Sequence, residues 1–114
     1  MNQDCPFCRI AAGTLPADVV YQDQHTVAFR DLNPQAPTHV LVVPRRHVAG
    51  LTDAPDGASL FEELFAAVRA VAQQENLAHS GFRTVINTGR DAQQSVAHLH
   101  IHVLGGRPFS WPPG

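Results

Sequence analysis

The stretch His98-Leu99-His100-Ile101-His102-Val103-Leu104 decides how the rest of this chain is to be read. Three histidines alternate with apolar residues. Because a β-strand turns successive side chains to opposite faces, all three imidazoles would share one face while Leu99, Ile101 and Val103 are buried on the other. A row of histidines is a costly way to make a merely polar face, so the pattern points to chemistry. Alternate residues of a strand stand about 6.8 Å apart, whereas metal–nitrogen bonds are only about 2.0 to 2.1 Å, so three histidines on one straight strand can hardly share an ion. The row must divide its labour. His100, at the centre, is the natural nucleophile, since neutral imidazole attacks well near neutral pH when its other nitrogen is held as a donor. Its neighbours would hydrogen-bond the oxygens of an anionic electrophile. A phosphoryl centre fits, because positioning and charge stabilisation do most of the work in that reaction class.

Working outward, Phe82 to Asn87 alternates as a further strand, Thr88 to Gln94 is a polar loop, and Ser95 leads into the histidine stretch. Ser59 with Glu62 has the pattern of a capping box, which would start a helix running to about Leu77. Leu60, Leu64, Val68 and Val71 form its apolar stripe, widened by Phe61 and Phe65; this is packing and carries no chemistry. Thr38 to Val43 reads as a strand apolar on both faces, hence central in the sheet, with one polar intruder, His39, that needs a partner. Asp31 to Pro37 is a loop, because its two prolines exclude helix and remove ladder donors. Val19 to Gln22 and Thr26 to Arg30, split by Asp23-Gln24-His25, form a hairpin. Cys5 to Ala12 allows a short helix closed by Gly13. The tail, Gly105 to Gly114, is rich in proline and glycine yet contains Phe109 and Trp111, and is expected to dock. The order of elements is α+β with a mostly antiparallel sheet.

A chain of 114 residues makes one small domain, and its net charge of -2 leaves neither a basic footprint for nucleic acid nor a polybasic membrane patch. Its apolar runs are too short to span a bilayer, and Met1-Asn2-Gln3-Asp4 lacks the charged-then-apolar start of a signal peptide, so a cytoplasmic protein is expected. Cys5 and Cys8, spaced Cys-x-x-Cys, make half of a tetrahedral zinc site. A redox pair and two inert small residues are the alternatives. The redox reading is weakened by the absence of a Trp-Cys-x-x-Cys context and of a following βαβ pattern. Spacing alone does not choose the histidines that would complete a metal site.

His98 to Leu104 resembles the histidine triad of the histidine-triad (HIT) nucleotide-binding superfamily, His-φ-His-φ-His-φ-φ with φ apolar. Asp31-Leu32, Asn33-Pro34-Gln35-Ala36-Pro37-Thr38-His39, Val42-Val43-Pro44-Arg45-Arg46-His47, Gln94-Ser95-Val96, and Gly105-Gly106-Arg107 with Trp111-Pro112-Pro113-Gly114 are similar to its Hint branch. The resemblance covers essentially the whole chain, 1–114, as one domain. It implies an α+β HIT fold with a five-stranded antiparallel sheet, one long and one short helix, and a homodimer whose two sheets run on as one. It further implies hydrolysis of purine nucleoside phosphoramidates through a nucleotidyl-histidine. In that scheme His100 is the nucleophile, His102 binds phosphate and His39 is the fourth active-site histidine. Asn87 and Ser95 would bind the phosphate and ribose region, Asp31 the ribose hydroxyls and Leu32 the base, while the tail with Trp111 would lie near the partner subunit's site. Members with the N-terminal Cys-x-x-Cys resemble this chain further, and imply one structural zinc per subunit on Cys5, Cys8, His47 and His98. Ala92-Gln93 stands where many Hint proteins carry Gly-Gly. Two other readings accompany the first: a non-catalytic nucleotide-binding regulatory module, and a diadenosine polyphosphate hydrolase or nucleotidyl transferase of the same superfamily.

Overall fold

The structure, a computed structural model, describes residues 3–114, so the reading of Met1 and Asn2 lies outside the described residues. Helix α1 (Pro6–Ala11) is followed by strands β1 (Val19–Gln22), β2 (Thr26–Arg30) and β3 (Thr38–Pro44), a 3-10 turn at Leu51–Asp53, helix α2 (Leu60–Gln74), and strands β4 (Phe82–Val85) and β5 (Ile101–Gly105). All five strands pair antiparallel in the order β1-β2-β3-β5-β4, which puts the doubly apolar β3 at the centre as its composition predicts.

The period of two sorts the sheet into two buried faces. Ala28, Val40, Val42, Ile101 and Val103 point to the stripe of α2 formed by Leu64, Ala67, Val68 and Val71. Val27, Phe29, Leu41 and Val43 point the other way and meet Phe7 and Cys8 of α1. By the same alternation His39 and His102 belong to the α1 face, where β3 and β5 are neighbours. The chemistry of the chain is therefore gathered on the side that α2 leaves open.

Three sequence expectations are corrected. Ser59 precedes α2, but its hydroxyl makes no capping hydrogen bond. Its backbone, at φ -77° and ψ 8°, is already close to helical rather than in the extended form a capping side chain needs. The helix stops at Gln74, short of Leu77, because Asn76 turns left-handed at φ 60°. The Asn76 amide then donates to the Gln73 carbonyl (3.1 Å) and the Leu77 amide to that of Ala72 (2.8 Å), which satisfies the last turn and drives Leu77 back into the core. Leu77 in turn fills the place of a side chain at Gly105, where a Cβ would stand 2.6 Å from its Cδ2.

The third correction falls on the histidine stretch. Only residues from Ile101 onward join the ladder; His98, Leu99 and His100 precede it. The register runs Val42↔Ile101, so the next positions of β5 would face the end of β3, where Pro44 has no N–H to give. The chain bends there. Leu99 donates its amide to the Val48 carbonyl (2.6 Å), and β4 likewise ends at Val85, short of Asn87, opposite His102.

Candidate active site and metal centre

The bend separates the three histidines by task. His98 is fully buried, and its Nε2 donates to the Pro44 carbonyl at 2.9 Å. A neutral imidazole has one N–H, so Nδ1 carries a lone pair. That lone pair faces Cys5 Sγ at 3.2 Å and Cys8 Sγ at 3.5 Å, while His47 Nδ1 stands 3.3 Å from Cys8 Sγ. The four ligand atoms of Cys5, Cys8, His47 and His98 all lie within 4.8 Å of one another. Zinc bonds of about 2.3 Å to sulfur and about 2.0 Å to nitrogen in a tetrahedron put ligand atoms roughly 3.6 Å apart, close to these sulfur–nitrogen separations. Burial pushes the Cys5 thiol up from its ordinary value, so its thiolate form calls for a positive ion beside it. The donor set fits a structural zinc, with four protein ligands and no position left for water.

His100 is oriented by the backbone of His98. Its Nδ1 donates to the His98 carbonyl at 2.7 Å, which leaves the lone pair on Nε2. Phe7, from within the Cys-Pro-Phe-Cys turn, packs edge-on against the His100 ring at 5.1 Å and the His98 ring at 5.9 Å. His100 and His102 follow each other with ring centroids 5.1 Å apart.

The partner that His39 needs is His102, Nε2 to Nδ1 at 2.9 Å. The direction of that bond follows from the Gln35 amide, which donates to His39 Nδ1 at 3.0 Å. With Nδ1 accepting, the His39 proton is on Nε2 and is given to His102 Nδ1. The His102 proton is then on its own Nε2. Asp31 Oδ2, 3.5 Å from His39 Nε2, stands behind the pair. The row thus offers an attacking lone pair on His100 and, on the next imidazole, an N–H able to hold an oxygen.

Burial lowers His102 from its ordinary value to about 4, helped by the neighbouring His100 and His39 and opposed by Asp31. His39 is lowered too, again by burial and against Asp31. Between pH 6.5 and about 4 the unfolded chain therefore binds protons at His102 that the folded one does not. Its stabilising effect is complete above the unfolded value and is lost as the pH falls through that window. Urea midpoints are expected to drop between about pH 7 and about pH 5, and to drop less steeply in His102→Asn. An equal slope in both proteins would refute it.

A cleft of about 340 Å³ adjoins the histidines through Phe7, Leu41 and Asp31. It brings together Asp31, Leu32 and Ser95 with the apolar walls of Ile10, Phe29 and Val96. Leu32 is wholly exposed at its lip. Asn87, half-buried beyond β4, and Trp111 are not among the lining residues. The tail docks through Phe109, whose ring lies 5.0 Å from the guanidinium of Arg83 and 4.2 Å from that of Arg107, whereas Trp111 is 81% exposed. The loop carrying Ser95 is held by Gln94. Its Oε1 accepts from the Gly89 amide at 2.9 Å, and its Nε2 donates to the Ala49 and Val96 carbonyls at 2.8 and 3.0 Å.

Comparison with known proteins agrees with this geometry. The family model described as the HIT domain matches residues 12–109. The chain belongs to the HIT domain family. Among its relatives, an uncharacterized HIT-like protein of Synechococcus elongatus is 49% identical over 115 residues, covering all of both chains. A protein of Zea mays named a 14 kDa zinc-binding protein is 44% identical over 111 residues, 95% of this chain and 86% of its own. A crystal structure of a HIT family hydrolase from Legionella pneumophila superposes with a TM-score of 0.93 at 44% identity, over 96% of this chain and 99% of that one. The HIT fold here is thus the five-stranded antiparallel sheet with two helices. No helix among the described residues is long and apolar enough to cross a membrane.

The sequence missed Gln35, Gln94 and Phe7. Gln35 acts through its backbone amide, which no residue type advertises. Gln94 is one of two adjacent glutamines in the polar loop, and nothing in the sequence distinguishes it from Gln93 as the one that bridges three backbone groups. Phe7 was legible as the apolar residue enclosed by the two cysteines.

Proposed function

We propose that this HIT protein cleaves the P–N bond of purine nucleoside phosphoramidates, of the AMP-amine or AMP-lysine type, through a nucleotidyl-histidine. The observation that carries the reading is the 2.7 Å hydrogen bond from His100 Nδ1 to the His98 carbonyl, which leaves Nε2 of His100 as a free nucleophile beside an N–H of His102. In the first step this Nε2 forms a bond to the α-phosphorus while the P–N bond breaks. The bonding pair leaves on the amine nitrogen, which takes up a proton from solvent, and the attacking water of the next step returns one. Water then attacks the phosphorus and displaces His100, releasing the nucleoside monophosphate.

His102 holds a non-bridging oxygen as charge builds on it, and His39 keeps His102 in the required tautomer. Asp31 takes the ribose hydroxyls and Leu32 covers the base at the mouth of the cleft, while Ser95 and Asn87 serve the phosphate and ribose region. Cys5, Cys8, His47 and His98 hold one zinc per subunit, a reading supported by the zinc-binding name of the maize relative. When bound, the metal supplies cross-linking rather than chemistry. A homodimer with a continuous sheet belongs to the same reading. The outer strands β1 and β4 each have an edge able to extend the ladder, and in the dimer the tail 105–114 with Trp111 lies near the partner's site and tunes the leaving group. The compartment is the reducing cytoplasm, where the two thiols stay available to the metal.

The test is to mix the protein with an adenosine phosphoramidate bearing a poor leaving amine, quench rapidly, and map the adduct by mass spectrometry. A nucleotidyl group on His100 is expected. An adduct on another residue, or single-turnover hydrolysis without any adduct, would overturn the mechanism.

A further inference from the structure

The cleft beside the histidines is walled by apolar side chains, as a slot for a flat ring should be, and it has four polar side chains in its lining: Asp18, Arg30, Asp31 and Ser95. Two of them are engaged within the protein, and a third belongs to the phosphate end. Arg30 places both terminal nitrogens on the Glu75 carboxylate, at 2.9 and 3.1 Å, and so spends its fork on α2. Asp31 receives the Asn33 amide on Oδ1 at 2.9 Å and turns Oδ2 toward His39. Ser95 sits on the loop assigned above to the phosphate end. Asp18 differs from these. Its backbone is fixed against β2, where its carbonyl accepts from the Arg30 amide at 2.9 Å. Its side chain, 72% exposed, has Oδ2 3.6 Å from Arg30 Nε, and Oδ1 has no hydrogen-bond partner among the described residues.

We infer that Asp18 reads the base edge in this slot and makes the protein prefer guanine over adenine nucleotides, a proposal that rests on the nucleotide reading above. A carboxylate only accepts hydrogen bonds. The Watson–Crick edge of guanine presents two adjacent donors, N1–H and the N2 amino group, which match the two oxygens of one carboxylate. Adenine presents one donor, its N6 amino group, next to the lone pair of N1, so one oxygen gains a bond and the other meets repulsion. Hypoxanthine keeps N1–H and lacks the N2 amino group. It falls between. Arg30 acts as a positioning residue, since the pull of its Nε on one oxygen orients the carboxylate along the rim.

Titration calorimetry with GMP, IMP and AMP, on the full chain and on Asp18→Asn, tests this. The wild type is expected to bind GMP about five- to tenfold more tightly than AMP, with IMP between. In Asp18→Asn the ratio narrows to within about twofold, because an amide offers a donor and an acceptor and can serve either base. The ratio is the readout, since removing a charge shifts affinity for every anionic ligand together. AMP binding as tightly as GMP in the wild type, or a guanine preference unchanged in Asp18→Asn, overturns the assignment to Asp18 and leaves the nucleotide site standing. Failure of all three nucleotides to bind overturns the nucleotide reading and this inference with it.

Discussion

His100→Ala is expected to lower turnover of an adenosine phosphoramidate by roughly 10³- to 10⁶-fold, the range seen when a covalent nucleophile is removed. The size of the loss follows from the hydrogen-bond directions around it, because no neighbour can take over. His102 has its Nδ1 occupied by His39 and a proton on Nε2, and His98 turns its lone pair to Cys5 and Cys8. For His102 to attack, His39 would have to surrender a proton while the Gln35 amide still points at its other nitrogen. Binding should survive better than catalysis, since the group that holds the phosphate oxygen is untouched; AMP affinity within about tenfold of wild type is expected. His100 is buried against Phe7, so alanine leaves a hole, and His100→Asn controls for volume. Both variants should lose turnover of a fluorogenic phosphoramidate and keep the nucleotide. Turnover above about a tenth of wild type in either would sink the proposed role.

Removing zinc is expected to lower the melting temperature by roughly 10 °C or more, with restoration on adding zinc back. Even at free zinc only about a hundredfold above its dissociation constant, linkage contributes about 2.7 kcal/mol. A domain of this size responds by about 4 °C per kcal/mol. The reason for a large effect is where the ligands come from: Cys5 and Cys8 lie at the start of the chain, His47 just after β3, and His98 just before β5. One ion closes two long loops, from Cys8 to His47 and from His47 to His98, and pins α1 against the sheet. Cys8→Ser should reproduce most of the loss in zinc-containing buffer. At temperatures well below the transition, the remaining activity should lie closer to wild type than that of His100→Ala, because the metal makes no contact with the substrate. Zinc-free protein that melts with the loaded protein, its thiols freely titratable, would show that the four ligands hold no metal of consequence.

Much of this was legible in the residues. The run of apolar residues on both faces of Thr38 to Val43 identified the central strand and marked His39 as a polar residue requiring a partner, and the separation of residues along a strand required the three histidines to take different tasks. What the residues did not reveal was how that separation is achieved. A straight strand through His98 was expected, and Pro44 on the neighbouring strand prevents it by withholding one N–H, a long-range effect with no mark in the stretch itself. The capping reading of Ser59 failed for a comparable reason. The pattern records which side chains are available, and not the backbone angle, φ -77° and ψ 8° at Ser59, that decides whether a hydroxyl can turn back. The tail was expected to dock and does so through Phe109. Arg83 and Arg107, which clasp that ring, are separated by the end of β4, the loop that carries Ser95 and the whole of β5.

His98 faces the metal site with its side chain and holds His100, the proposed nucleophile, with its carbonyl, and the two contributions are not equally replaceable. Every amino acid has a carbonyl. The imidazole matters to catalysis only as a means of keeping that carbonyl still, so the metal and any well-packed alternative are interchangeable solutions to one mechanical problem. A lineage that loses Cys5 and Cys8 is free to lose the histidine at 98 as well, provided new packing holds the bend, and it need not alter a single group that touches phosphorus.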